Sequence, residues 1–595
     1  MKLPSMRSIA VISLLAFLLP LGASAQGLGQ RHKLDRPLRE AVEAGSTAAQ
    51  RVIIRTTADG RAALRQALRA HGDRVLGEHP SLNALTAEVH GADLDALAND
   101  RSVLSMSIDA VVAAHAAPST PTSGPILSTL RSALGLTPGS PTGAGVGVGI
   151  IDSGIEPSDD FAGRITAFYD YVNRGGSFVY PYDDFGHGTH VAGLIGSSGV
   201  LSNYEHQGMA PAVRLVGLKV LDKYGQGRTS DVIAALEFAT TYRQQLGIDV
   251  INLSLGHPIY ETAATDPLVL AVEQAVRAGI VVVTSAGNFG TNPDTGETGY
   301  AGITSPGNAA SAITAGALTM NGTVSRADDR WAPFSSKGPT WYDAGVKPDL
   351  LAPGYRLVSN SFRTSTLYKN YSQVRVDSNH IKLSGTSMAT AVTSGVAALV
   401  VQANREAAAA GSPALAPNAV KAILQFTAFR MRDDLGVEYD TLTQGAGGLN
   451  AAGAIQLAQA IDTSAPAGST WLSGPVDPFT TVDGQTLAWA QNIVWGNNIV
   501  WGNAVYTSEA AWRDNIVWGS NIVWSTNIVW GTNIVWGTNI VWSTNIVWGN
   551  SLIGTAVGEN IVWGSVSDPD NIVWGNLYRD NIVWGSNIVW ATVTF

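Results

Sequence analysis

Four short apolar runs recur through the middle of this chain, at residues 147–151, 215–220, 249–253 and 280–284, and stretches with helical spacing separate them. Each run is long enough for one strand and is dominated by Val, Ile and Leu. A strand that is apolar on both faces has to be covered on both faces, and strand–helix–strand alternation joins neighbours in parallel. The pattern therefore predicts an α/β fold in three layers, with a mostly parallel sheet between helices. Open sheets of that kind expose their chemistry beyond the carboxyl ends of the strands.

Three motifs fall at such places. The run GVGVGIIDSGI (145–155) ends its strand in Asp152, and Gly154 lets the chain turn at once. In DFGHGTHVAG (184–193), His187 stands between two glycines ahead of an apolar, small-residue helix. In LSGTSMAT (383–390), Ser387 opens an apolar helix, where backbone N–H groups and the positive end of the helix dipole face any developing oxyanion. His187 and His190 are three apart, as half of a metal site on one helix face would be. The chain has no cysteine, however, and no His/Glu pattern nearby completes a zinc set. His187 is therefore read as reactive and His190 as packed. A serine hydroxyl is a weak nucleophile that needs a base within hydrogen-bond reach. Histidine titrates near neutrality and can take and return that proton, and a buried aspartate fixes its tautomer.

In the order Asp152, His187, Ser387 these runs resemble the subtilisin-like (subtilase) serine peptidases, one of the three chain orders in which such triads occur. The resemblance covers roughly residues 127–454 and extends through Leu253-Ser254-Leu255-Gly256 and Ala286-Gly287-Asn288. It implies the three-layer subtilisin-like fold, and an Asp152–His187–Ser387 triad that hydrolyses peptide bonds through an acyl-enzyme. It also implies that the Asn288 side-chain amide joins the Ser387 N–H in an oxyanion hole; in a subtilisin, losing that donor costs about 100- to 1,000-fold in kcat. Ser254, Leu255 and Gly256 on one side, with Gly225 and Gly227 on the other, would hold an extended substrate as a strand between two strands. No cofactor is required by this chemistry. Calcium is common in the family, but no run marks where it would sit, and no metal ligand is assigned.

The catalytic domain is expected over residues 127–458. Residues 1–25 read as a signal peptide: Lys2 and Arg7 form a charged start, 9–21 an apolar run, and Ala23-Ser24-Ala25 an A-x-A cleavage site. The apolar run is shorter than the roughly 18–20 residues of a spanning helix, and no other stretch reads as transmembrane. The expected location is therefore secreted, with cell-surface association as an extension of it. Losing Lys2 and Arg7 takes the formal net charge from −10 to −12, an acidic balance that argues against nucleic acid as a partner. Without cysteine no disulfide braces the chain, and a core of this size needs none.

Residues 51–112 read as a small α+β unit: strands at 51–56, 83–89 and 103–112, and helices at 61–71 and 92–99. Within the family resemblance this is an inhibitor-like propeptide, spanning 26–116, that assists folding and occupies the active site until cut. An exposed linker rich in Ala, Pro, Ser and Thr follows (113–125, with the stretch between propeptide and catalytic domain placed at 117–126), and maturation is expected to leave a chain beginning between His115 and Ser128.

Beyond Ala454 the composition changes. Asn-Ile-Val-Trp occurs twelve times between Asn492 and Trp590 and holds 12 of the 17 tryptophans. Six copies from Asn515 to Trp548 recur every six residues, separated by small pairs such as Gly-Ser or Ser-Thr. A fixed short period signals stacked units, and these residue types suit strands and turns, so residues 459–595 are expected to form an all-β repeat region. Stacking in a solenoid or meander would line up Asn with Asn and Trp with Trp, with Ile and Trp on one face. Nearly free of charge, the repeats are expected to self-associate or bind a surface. They are too short for membrane strands of about 9–11 residues. The sequence thus reads as an exported, self-maturing serine endopeptidase acting on protein or peptide substrates. The alternative is a surface assembly or adhesion protein whose peptidase domain only processes itself.

Overall fold

The computed structural model describes residues 30–115, 117–118, 130–292, 294–495, 498–501, 503–513 and 515, with short strand segments between 528 and 591. The expected signal peptide, most of the linker and most of the repeat copies lie outside the described residues.

The central sheet runs, in spatial order, Arg330–Trp331, Ile313–Thr319, Val281–Ser285, Val250–Leu253, Gly147–Asp152, Arg214–Lys219, Ile165–Asp170 and Ser177–Phe178, with Leu350–Pro353 also pairing to Ile313–Thr319. Only the two outermost pairings are antiparallel. The others are parallel, as the alternation of strands and helices requires.

Successive side chains along these strands enter different cores, which is how three layers arise from nearly continuous apolar runs. Val250, Val281 and Val283 pack with helices His187–Gly196, Thr386–Ala407, Pro417–Phe426 and Ala451–Ala460. Ile251, Leu253 and Val282 pack with helices Thr229–Thr241 and Pro267–Arg277 on the other face. Among the described residues, Thr386–Ala407 is the one helix long and apolar enough to cross a membrane, and its apolar window is entirely buried inside the protein. It serves as the central core helix.

The N-terminal unit is a four-stranded antiparallel sheet in the order Arg74–His79, Ala84–Val89, Gln50–Thr56, Val103–Ile108. Two elements were not legible in the sequence. The strand Arg74–His79 carries Gly77 and only weak alternation, and helix Arg36–Glu43 is started by Asp35, whose carboxylate accepts from the Leu38 N–H at 3.0 Å. Val52 and Ile54 build the unit's own core with Leu64, Leu68 and Leu85, while Ile53, Leu82 and Ala84 face helices Thr229–Thr241 and Pro267–Arg277 and join the second core of the main sheet.

The single strand expected at 103–112 is in fact two. Val103–Ile108 stays in the unit's sheet, and Val111–Ala114 leaves it to pair elsewhere. Asp109 is the pivot: its carboxylate accepts from the Ser230 N–H and Ser230 Oγ, both at 2.8 Å, at the start of helix Thr229–Thr241, and also bonds Arg51.

The domain boundary expected after 458 does not coincide with a break in packing. Trp471, Trp489, Ile493, Val505 and Trp512 are all buried in the main core with the central helix. The side chain of Gln425 takes the place of a neighbouring strand for the first repeat copy, with Nε2 donating to the Val494 carbonyl at 2.8 Å and Oε1 accepting from the Val494 N–H at 3.2 Å. In the described repeat segments the pairing is antiparallel, so the expected ladder of Asn on Asn and Trp on Trp is not what forms there. Asn492 lies opposite Trp501, Ile534 opposite Trp542, and Ile572 opposite Trp584. Antiparallel pairing inverts the order of each copy against its neighbour, whereas a like-on-like ladder needs parallel strands.

Candidate active site

Asp152 ends its strand at the carboxyl edge of the sheet, and His187 opens the helix that packs against it. The two loops can meet only because both carry glycine: a Cβ on Gly188 would lie 2.1 Å from the Gly154 carbonyl oxygen. Asp152 Oδ1 then faces His187 Nδ1 at 2.7 Å, with both side chains fully buried. A second carboxylate holds this approach. Asp183 accepts from Ser153 Oγ and the Gly186 N–H through Oδ1, and from the Thr189 N–H and Oγ1 through Oδ2, all within 2.7–2.9 Å. His190 has no such polar setting. It bonds the Leu357 carbonyl through Nε2, and burial pushes it down to about 3, so it is packed as a neutral ring.

Ser387 is the second residue of the central helix, which Thr386 begins. Its Oγ donates to the Ser254 carbonyl at 2.9 Å, and Ser254 Oγ donates back to the Ser387 carbonyl at 3.0 Å. His187 Nε2 is buried without a hydrogen-bond partner. Asn288 follows the strand Val281–Ser285, and its amide is oriented from behind, with Oδ1 accepting from the Thr386 N–H and Oγ1, each at 3.0 Å. The free end of that amide is therefore aimed into the cleft, where Nδ2 donates to the His115 carbonyl oxygen at 2.8 Å. The Ser387 N–H donates to the same oxygen at 3.3 Å.

The chain itself thus occupies the cleft. Val111–Ala114 is an antiparallel strand between Gln226–Arg228 and Leu255–Pro258. Gly225 accepts from the Ala114 N–H through its carbonyl at 3.2 Å, Gly227 registers with Val112, Leu255 with Ala114, and Gly256 with Ala113. The Ser254 carbonyl accepts from the His115 N–H at 3.4 Å. All five residues expected to flank a substrate strand therefore line this one. Past the cleft, Ala117–Pro118 pairs with His380–Ser384, so the chain runs through the site from one side to the other. The His115 ring is buried, its Nδ1 lies 2.7 Å from Ser285 Oγ, and a Cβ on Gly256 would come within 2.7 Å of its Cε1. Burial, with His187 and His257 nearby, pushes this imidazole down to about 3.

A profile of the Subtilase family, Peptidase S8, matches residues 143–450. The chain belongs to the subtilase family. Its catalytic domain is that of a subtilisin-like serine endopeptidase. It is 42% identical over 315 residues to serine protease AprX of Bacillus subtilis (strain 168), a match covering 52% of this chain and 66% of AprX. It is 36% identical over 267 residues to subtilisin DY of Bacillus licheniformis, covering 44% of this chain and 77% of that protein. The crystal structure of fervidolysin from Fervidobacterium pennivorans, a keratinolytic enzyme related to subtilisin, shares the fold: TM-score 0.52 at 19% identity, over 76% of this chain and 68% of that one.

Four residues around this subtilase site escaped sequence reading. Thr386 stood in plain view beside Ser387, but its hold on the Asn288 amide depends on strand and helix meeting. Asp183 and Ser285 lie in polar loop or strand-end positions that carry no periodic signal. His115 looked like the edge of a linker.

Proposed function

We propose that this subtilase is an exported endopeptidase, made as a precursor that cuts its own chain between His115 and Ala116. One observation carries the reading: the His115 carbonyl oxygen accepts from both Asn288 Nδ2 and the Ser387 N–H, the two donors of an oxyanion hole.

The chemistry follows from the side chains present. Ser387 Oγ, now bonded to the Ser254 carbonyl, rotates toward His187 Nε2, the unpartnered buried nitrogen. Oγ attacks the His115 carbonyl carbon while Nε2 takes its proton, and Asp152 holds the Nδ1–H face of the imidazolium that forms. The carbonyl oxygen gains negative charge between its two donors. Collapse of the adduct breaks the bond to the Ala116 nitrogen, which leaves with the proton from Nε2. A water then gives a proton to His187 and attacks the His115–Ser387 ester, freeing a His115 carboxylate and restoring the hydroxyl. The N-terminal unit acts as the propeptide and ends at His115, one residue before the boundary expected from the sequence. It remains docked as a product in the cleft until it leaves, and the vacated groove then takes extended segments of other proteins. The repeat copies beyond Asn515 supply self-association or surface attachment outside the cell.

The test is the mature N-terminus. Mass spectrometry of the wild-type chain is expected to show a form beginning at Ala116, and Ser387→Ala to stay whole. Processing of that variant, or a different start, would remove the self-cutting reading. Casein hydrolysis by the matured wild type separates a general endopeptidase from a chain that processes only itself.

A further inference from the structure

We propose that His71, Asp73, His90 and Asp93 form a binding site for a divalent transition metal of the zinc type on the N-terminal unit. The inference stands whether or not that unit is a propeptide.

The four residues come from separate elements. His71 ends helix Gly60–His71, Asp73 precedes strand Arg74–His79, His90 follows strand Ala84–Val89, and Asp93 closes the turn Gly91–Asp93. Their ligand atoms all lie within 4.8 Å of one another. His71 Nδ1 is 3.0 Å from Asp73 Oδ2, and His90 Nδ1 is 3.0 Å from Asp73 Oδ1; Asp93 Oδ2 is 3.8 Å and 3.7 Å from the same two nitrogens. In a tetrahedral site with metal–ligand bonds of about 2.0–2.1 Å, neighbouring ligand atoms stand roughly 3.3–3.4 Å apart. The observed separations straddle that edge, so small side-chain adjustments bring four donors to one point.

The surroundings suit such a site. Asp73 is buried, with its side chain 2% exposed, and it also accepts from the His90 N–H at 3.3 Å, which fixes its carboxylate. Both imidazoles are about half exposed (55% and 57%), so the site has one rigid wall and one open side for the ion to enter. The rings meet edge to face at 82°, an arrangement that lets both Nδ1 atoms converge without stacking. Two neutral imidazoles and two carboxylates make an N₂O₂ set that balances a divalent charge. Imidazole nitrogen selects zinc, cobalt, nickel or copper over calcium and magnesium, which take oxygen. Four protein ligands fill a tetrahedron and leave no open position, the pattern of a structural ion. Here it would join one helix end to two strands in a small unit with no disulfide, stabilising it in proportion to how far the metal exceeds its dissociation constant.

The test uses the whole chain with Ser387→Ala, so that the N-terminal unit stays attached. Cobalt(II) titration is expected to give the intense visible absorption of a tetrahedral site, and zinc to displace it at one ion per chain. Calorimetric zinc binding should fall at least tenfold in His71→Gln and His90→Gln, near-isosteric changes whose folding far-UV circular dichroism checks. A weak octahedral cobalt spectrum, or no stoichiometric zinc, would overturn the site without needing any variant. Zinc affinity unchanged in the folded double variant would overturn it too, since other groups would then hold the ion.

Discussion

The Asn288 amide reaches the His115 carbonyl oxygen across 173 positions of sequence, with Nδ2 at 2.8 Å. It can aim there because Thr386 holds its other end with two hydrogen bonds. The His115 carbonyl, the Asn288 amide and the start of helix Thr386–Ala407 are thus tied in one line. Replacing Asn288 with Ala removes a donor that strengthens as charge develops, so self-processing should slow by about 100- to 1,000-fold, as when the same donor is lost in a subtilisin. A time course of precursor loss, with circular dichroism to verify folding, measures this. Processing at the normal rate would mean that Asn288 is not an oxyanion donor.

Ser285 and His115 predict a preference at the residue before the cut. Losing the buried hydrogen bond in Ser285→Ala should cost about 1–3 kcal/mol, roughly 5- to 150-fold in kcat/KM, for substrates with histidine there. Substrates with leucine at that position should be little affected. Equal losses for both would show that the residue shapes the cleft in general rather than reading the imidazole.

The same pocket gives a pH signature. An imidazole held at about 3 in the cleft and near 6.5 in solution must lose its proton to bind, so the bound state carries fewer protons and acid opposes it. The ratio of kcat/KM for histidine over leucine substrates should be flat above about pH 7 and fall toward tenfold per unit below the free value near 6.5. Taking the ratio cancels the titration of His187 itself. A ratio independent of pH would place the substrate ring in water.

Docking of the N-terminal unit should respond in the opposite sense. Glu261 is pushed up to about 8 by burial, then by Asp266, with Asp35 of the unit contributing; Ser107 of the unit bonds it directly. Asp35 is itself pushed up to about 6 by burial. The docked state therefore holds protons that an undocked, solvated surface would release above about 4.5, so docking weakens as pH rises from there through about 8. Size-exclusion chromatography of the matured chain should show the N-terminal fragment retained near pH 6 and released more readily near pH 9. Glu261→Gln should flatten that dependence. Release that is insensitive to pH in the unaltered chain would exclude this carboxylate cluster as its cause.

Truncations separate the packed from the repetitive part of the C-terminal region. Ending the chain before residue 485 removes Trp489, Ile493, Val494, Val505 and Trp512 from the interior. Each large buried side chain is worth about 2–5 kcal/mol, so the shortened domain should unfold or lose many degrees in Tm. Ending it after Asn515 keeps all of that packing and should leave thermal unfolding and peptide hydrolysis close to those of the full chain. A stable, active domain from the first truncation would show that the packed tail is dispensable.

How much of this was legible in the sequence depended on the range of the interactions involved. The mostly parallel α/β layers could be read because strand and helix periodicities are local, and Asp152, His187 and Ser387 because each sits in a short run with its own glycines. Local patterns also showed that an α+β unit precedes them and that a six-residue repeat follows. Whether Val111–Ala114 continues a sheet or fills a cleft was not local: it was decided by Asp109 binding Ser230 and by two strand edges with unpaired backbone groups meeting in space. His71 and His90 likewise carry no metal pattern along the chain, because Asp73 and His90 are 17 positions apart and only strand pairing brings them together. The place where the catalytic domain ends also escaped composition. The first Asn-Ile-Val-Trp copy has the same residues as the later ones, yet its bonds to Gln425 and the burial of Ile493 make this copy part of the core. Sequence by itself determined which residues can do chemistry and which segments must be buried. Tertiary structure decided what each faces, since hydrogen bonds and packing act over a few ångströms whatever the separation along the chain.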